Sequence, residues 1–181
     1  MSGELWVETV PLADVDRKER RFAICAGAQV RKRIAMQLDL VDLSNFEADA
    51  HLSGWLDGAR LTASWSADLV QACCVTLEDV PARLSGRFEI RVLPAESPNA
   101  PHTETEAVLD PLAEDPPDVL EGDIVPLGEY LIEHLALELD PFPRKPGAVF
   151  VAPPEPAVIT PFAALKGLQT RNPSSDGEGE R

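Results

Sequence analysis

The chain has 181 residues, about the length of one domain, and 44% of them are hydrophobic, enough for a real core and too many for wholesale disorder. Sixteen Lys and Arg against thirty-one Asp and Glu leave a formal charge of −15, which excludes a uniformly basic nucleic-acid coat, because an acidic field repels a polyanion. No stretch approaches the roughly 18 apolar residues of a membrane-spanning helix, and MSGELWVETV has no basic region leading an apolar run, so neither a span nor a secretory signal is expected.

In chain order, residues 5–10 and 21–25 read as strands. Residues 28–40 suit a helix with Val30, Ile34 and Leu38 on one side. The strongest signal lies between Phe46 and Val70. Asp57-Gly58 suits a two-residue hairpin turn, since both central positions need positive φ. Pairing outward sets Leu56 against Ala59, Leu52 against Ala63, Ala50 against Trp65 and Phe46 against Leu69, all apolar. The alternate pairs, Trp55–Arg60, Ser53–Thr62 and His51–Ser64, face water. A third strand spans residues 82–92, with Leu84, Phe88, Ile90 and Val92 inward. Arg83, Arg87 and Arg91 then form an outward stripe.

Residues 94–118 are Pro-rich and acidic and read as a mobile loop. A helix over 127–139 follows Pro126, with Leu127, Leu131, Leu135 and Leu139 at four-residue spacing and Glu129 in its first turn. Asp140-Pro141 stops it. Thr160-Pro161 opens a short helix over 162–168, and 169–181 is a polar tail. The expected fold class is α+β: a twisted antiparallel sheet of about five or six strands with helices packed on one face. One domain is expected over 1–152, with a Pro-rich linker and short helix over 153–168.

Three cysteines, Cys25, Cys73 and Cys74, suggest no disulfide framework, and a reducing cytoplasm is the expected compartment. The three histidines are widely spaced. No metal-ligand spacing, phosphate loop or nucleophile elbow is present, so neither a cofactor nor a small-molecule substrate is implied, and nothing argues for an enzyme. The charge is bipolar. Thirteen of the thirty-one acids fall between Val92 and Pro143, a stretch without Lys or Arg, leaving eighteen acids against sixteen bases elsewhere. Seven of the sixteen bases gather at Arg17, Lys18, Arg20, Arg21, Arg31, Lys32 and Arg33.

Two readings of the bases stay open. Arg83, Arg87 and Arg91, with Arg60 and Trp55 on the same wet face, suit phosphate forks and base stacking; Arg31, Lys32 and Arg33 suit an RNA grip. Alternatively the stripe only keeps the sheet soluble, with Arg60 shielding Trp55, and the basic run neutralises the acidic helix.

Three stretches resemble the bacterial YceD family. They are Asp68-Leu-Val-Gln-Ala-Cys-Cys-Val-Thr-Leu-Glu78 with the strand after it, Gly122 through Asp140 to Pro141-Phe-Pro-Arg-Lys-Pro-Gly147, and Pro161-Phe-Ala-Ala-Leu-Lys166. The positions carrying the motif are Cys73, Leu77, Glu78, Gly128, Glu129 and Pro141. Many relatives have Cys-x-x-Cys-Leu-Glu where this chain has Cys73-Cys74-Val75-Thr76-Leu77-Glu78, so Thr76 holds the second cysteine's place and a paired thiolate clip is not expected. The resemblance implies a cytoplasmic, non-enzymatic factor in accumulation or maturation of large-subunit (23S) ribosomal RNA, acting on precursor RNA or a pre-ribosomal particle. The alternative is an acidic interaction module or chaperone for a basic ribosomal protein.

Overall fold

The structure is a computed structural model and describes residues 5–15, 19–101, 115–150 and 152. The chain divides into two units, Met1–Val149 and Phe150–Arg181, and the strands and helices described all belong to the first. The helix expected over 162–168 and the middle of the acidic loop lie outside the described residues.

Among the described residues seven strands and two α-helices succeed one another: β1 (Thr9–Pro11), β2 (Arg20–Cys25), α1 (Ala28–Gln37), β3 (Asp42–Trp55), β4 (Gly58–Ala72), β5 (Asp79–Pro94), β6 (Asp118–Leu120), β7 (Ile124–Pro126) and α2 (Leu127–Glu138). The main sheet has the order β2-β3-β4-β5-β6, and β1 and β7 form a separate antiparallel ribbon. The fold is α+β as expected, with one departure. Strand β6 lies parallel to β5, so the sheet is mixed and its last strand is a short parallel edge.

The long strands follow from alternation. Phe46, Ala48, Ala50 and Leu52 on β3, and Ala59, Leu61, Ala63, Trp65, Ala67 and Leu69 on β4, are all buried, while their neighbours are wetter. Phe46 is fully enclosed, with Trp6 at 5.2 Å and Trp65 edge-on at 6.1 Å between ring centroids. Small alanines around these rings leave space for Ile34 of α1 and Leu131 and Leu135 of α2, which join the same core. Helix α1 ends where Asp39 takes φ 54° and the Leu40 N–H bonds back to the Ala35 carbonyl, a left-handed cap with aspartate in the usual glycine position. Helix α2 is tied to β5 by His134 stacked on Phe88, with centroids 3.9 Å apart. Burial there holds the His134 pKa below its ordinary value, against the raising effect of Glu133 and Glu138.

The hairpin register differs by two residues from the sequence expectation. Strands β3 and β4 pair Leu52 with Leu61, Ala50 with Ala63 and Trp55 with Gly58, so the turn is Leu56-Asp57. Gly58 is needed in the ladder, not the turn: a Cβ there would run into the Val92 carbonyl oxygen and lie 3.0 Å from Leu93 Cα. Leu56 supplies the positive φ, at 53°. The Asp57 carboxylate is held by Ser97 Oγ at 2.9 Å and Asn99 Nδ2 at 3.1 Å. These two donors, Ser97 first, keep its pKa below the usual carboxylate value. A shift of two preserves the side-chain faces, which is why the buried set was still foreseen.

Candidate nucleic-acid interface

The face of the main sheet turned away from the helices is built by alternate residues of β2 to β5. The register of β4 with β5 places Arg60 opposite Arg91, Ser64 opposite Arg87 and Asp68 opposite Arg83. Across β3, Ser53 lies opposite Arg60, His51 opposite Thr62 and Asp49 opposite Ser64; Arg21 of β2 joins His51. Arg60, Arg83, Arg87 and Arg91 therefore occupy one surface with Trp55, as the alternation predicts.

That surface is not purely basic. Arg60 Nε lies 3.4 Å from Glu89 Oε1, and Arg83 Nε 3.6 Å from Asp68 Oδ1. Arg91 donates to the Asp115 carbonyl at 2.7 Å, and its guanidinium sits 5.4 Å from the centroid of Trp55. The cationic partner of the Trp55 ring is thus Arg91 and not the expected Arg60; the two-residue shift puts Ser53, not Trp55, opposite Arg60. The same shift removes the expected His51–Ser64 pair. His51 Nδ1 instead meets Glu19 Oε1 at 2.9 Å, and that hydrogen bond, more than nearby Arg21, keeps the Glu19 pKa below its ordinary value. Arg87 is exposed and shares a shallow pocket of about 230 Å³ with His51, Asp49 and Thr62.

The helical bases do not join this surface. Helix α1 lies on the core side of the sheet, and the strand arginines point the other way. Arg31 is half-buried and donates to the Ala26 carbonyl at 2.6 Å, fixing the start of its own helix; Lys32 and Arg33 are exposed. Arg20 pairs with Asp14 at 3.7 Å and Arg21 with Glu19 at 3.7 Å.

A second constellation surrounds Cys73, in the turn joining β4 to β5. The Cys73 N–H donates to the Glu78 carbonyl at 2.8 Å and the Leu77 N–H to the Cys73 carbonyl at 2.9 Å, with Leu77 at φ 61°. The buried Cys73 Sγ accepts from the N–H of Lys145 at 3.3 Å and of Thr76 at 3.4 Å. The Lys145 N–H first and the Thr76 hydroxyl next, with the Thr76 N–H adding less, bring the thiol pKa down to about 6 against the opposing cost of burial. Lys145 Nζ donates to Glu78 Oε1 at 2.7 Å, and the Cys74 N–H to the Pro143 carbonyl at 2.8 Å. Gln71 Nε2 reaches the Asp140 carbonyl at 3.0 Å, and Asp140 Oδ1 accepts the Phe142 N–H at 2.9 Å just beyond Pro141.

Thr76, in the place of the second cysteine, thus contributes its backbone N–H and its hydroxyl to the sulfur but no thiolate, and the two sequence stretches that carry the motif are fastened to each other. Cys74 is exposed, in the turn and not in a strand. Among the described residues no group of three or more His, Cys, Asp or Glu side chains gathers as a metal site. Sequence reading missed this clasp because Pro141–Lys145 has no periodicity to place it.

Residues 61–169, more than half of the chain, match the family described as Large ribosomal RNA subunit accumulation protein YceD. The chain belongs to the YceD family. The match covers most of β4, all of β5, the Cys73 turn and α2, so the clasp and the Arg83–Arg91 strand both lie within what defines the YceD family, whereas α1 and all of β3, Trp55 included, precede it. No match is found among curated proteins or among solved structures. The YceD description ties the chain to accumulation of large-subunit ribosomal RNA.

Proposed function

We propose that this protein is a non-enzymatic factor that supports large-subunit ribosomal RNA by direct contact through the outer face of β4 and β5. The observation that carries this reading is the placement of Arg60 directly opposite Arg91, with Trp55 beneath Arg91 and Arg87 further along the same strand. Like charges opposed on a ladder cost stability, which Glu89 beside Arg60 and the Asp115 carbonyl at Arg91 offset, and the pair still brings two guanidinium groups together on one exposed face. Guanidinium forks suit phosphate oxygens, and an indole beside them offers an unpaired base a stacking surface. The existing counter-ions are exposed carboxylates, and pairs of that kind are weak enough to exchange for phosphate. Location in the cytoplasm accords with this role.

A gel-shift titration with a large-subunit precursor RNA fragment tests it. Arg83→Glu, Arg87→Glu and Arg91→Glu together lower affinity at least tenfold and flatten the salt dependence, by about 0.7 in slope for each single-strand phosphate that is no longer neutralised. Trp55→Ala removes a stacking contribution of roughly 1–3 kcal/mol. Unchanged affinity in the triple variant would sink the assignment of this face.

A further inference from the structure

A second surface shares no residue with the arginine face. Residues of the β1–β7 ribbon, of β6 and of α2, with Val7 just before β1, together line a groove of about 500 Å³. Three aliphatic side chains line it while remaining well exposed: Val7 at 62%, Ile124 at 50% and Val119 at 44%. Tyr130, itself buried, closes the floor. Around these sit Glu121, Glu129 and Glu133, all exposed. No Lys or Arg occurs between Val92 and Pro143, and among the described residues no ion pair engages the three glutamates. Strand β6 is bonded on one side only, so its other edge has no ladder partner among the described residues.

We infer that this groove docks an extended, cationic segment of another protein whose aliphatic side chains enter between Val7, Val119 and Ile124. Each part of the site selects one property of that partner. The apolar lining gains by being covered, at about 25 cal/mol per Å² removed from water. The glutamate rim favours Lys and Arg beside those apolar anchors and speeds their encounter. The β6 edge, without a ladder partner among the described residues, offers main-chain bonds to a strand and not to a helix. A second copy of this chain is the poorer occupant, because a net charge of −15 brings like charge to an acidic rim.

The test uses the full chain with labelled methyl groups and two synthetic twelve-residue peptides, one alternating lysine with valine and one alternating lysine with serine. The lysine–valine peptide produces saturable shifts at the methyls of Val7, Val119 and Ile124 and binds at least tenfold tighter than the lysine–serine peptide. Glu121→Lys with Glu133→Lys weakens it at least tenfold and leaves RNA affinity unchanged, which separates this inference from the arginine face. Equal affinity for both peptides, shifts confined to other surfaces, no shifts at all, or shifts that track the protein's own concentration each overturn it.

Discussion

Gly128→Ala reverses the sign that helix propensity alone assigns. Alanine is worth at most about 1 kcal/mol over glycine in a helix, so in isolation α2 gains. Here the added Cβ would overlap the Trp6 carbonyl oxygen and come within 3.0 Å of the Trp6 carbonyl carbon and 3.1 Å of its Cβ. The obstructing atoms are backbone and cannot swing aside. The same segment accepts the Gly128 N–H at the Glu8 carbonyl, 3.1 Å away, and anchors Trp6 against Phe46. Overpacking of this kind costs up to about 3 kcal/mol, and the escape route, surrendering the buried site of Trp6, costs roughly 3–5 kcal/mol. Net of propensity the loss is about 2–4 kcal/mol, or a fall in Tm of roughly 4–16 °C for a domain of this size. Thermal unfolding followed by circular dichroism measures it. Gly122→Ala, with φ 90° but no atom within 4 Å, serves as a backbone-only control and falls by about 1 kcal/mol. A Gly128→Ala variant as stable as the parent, or more so, would refute the close approach of residues 5–8 to α2.

The chain has a single tyrosine, so its ultraviolet titration reports Tyr130 alone. Burial, reinforced by Asp118, holds its pKa above the ordinary value, so the folded state favours the neutral phenol. Stability is therefore lost as pH rises above the ordinary tyrosine value near 10, and tyrosinate absorbance emerging at about 10 while the protein stays folded would contradict the packing. Under native conditions a thiol reagent should modify the exposed Cys25 and Cys74 quickly and Cys73 only on unfolding; three fast thiols would dismantle the clasp. The Lys145–Glu78 pair lowers the Glu78 pKa and raises that of Lys145. Its contribution is complete between the two ordinary values, and it is lost as pH falls through the depressed Glu78 pKa or rises through the raised Lys145 pKa. The Tm difference between parent and Lys145→Met should thus be flat near neutrality and shrink below about pH 4. A difference that persists undiminished in acid would count against the pair.

Much of the fold is legible from periodicity. The faces of β3, β4 and β5, the span of α2 and the placing of Arg83, Arg87 and Arg91 together need only a period of two or of four. Register is a different quantity. It depends on Gly58 lying beneath Val92, a residue far along the chain, and local turn preference at Asp57-Gly58 carries no trace of it. The partners of Trp55, Arg60 and His51 were misassigned for that single reason. The Glu89 and Asp68 counter-ions were equally hidden, because which acid reaches which arginine follows from the β4–β5 register across the Cys73 turn. Helix α1 was foreseen, yet its basic run was read as one grip; Arg31 bends back to its own helix start and leaves only Lys32 and Arg33 exposed. The groove depends on short strands β1, β6 and β7, of 3 residues each, which are too brief to produce a pattern.

The central claim, direct contact of the β4–β5 face with large-subunit ribosomal RNA, is tested most directly by ultraviolet crosslinking of the full chain in cells, with both the RNA and the crosslinked peptide sequenced. The account predicts large-subunit RNA crosslinked to peptides containing Trp55 or residues 83–91, and no such crosslink in the triple arginine-to-glutamate variant. Large-subunit RNA crosslinked only through other surfaces, or no RNA crosslink at all while the protein still sediments with pre-ribosomal particles, would contradict it.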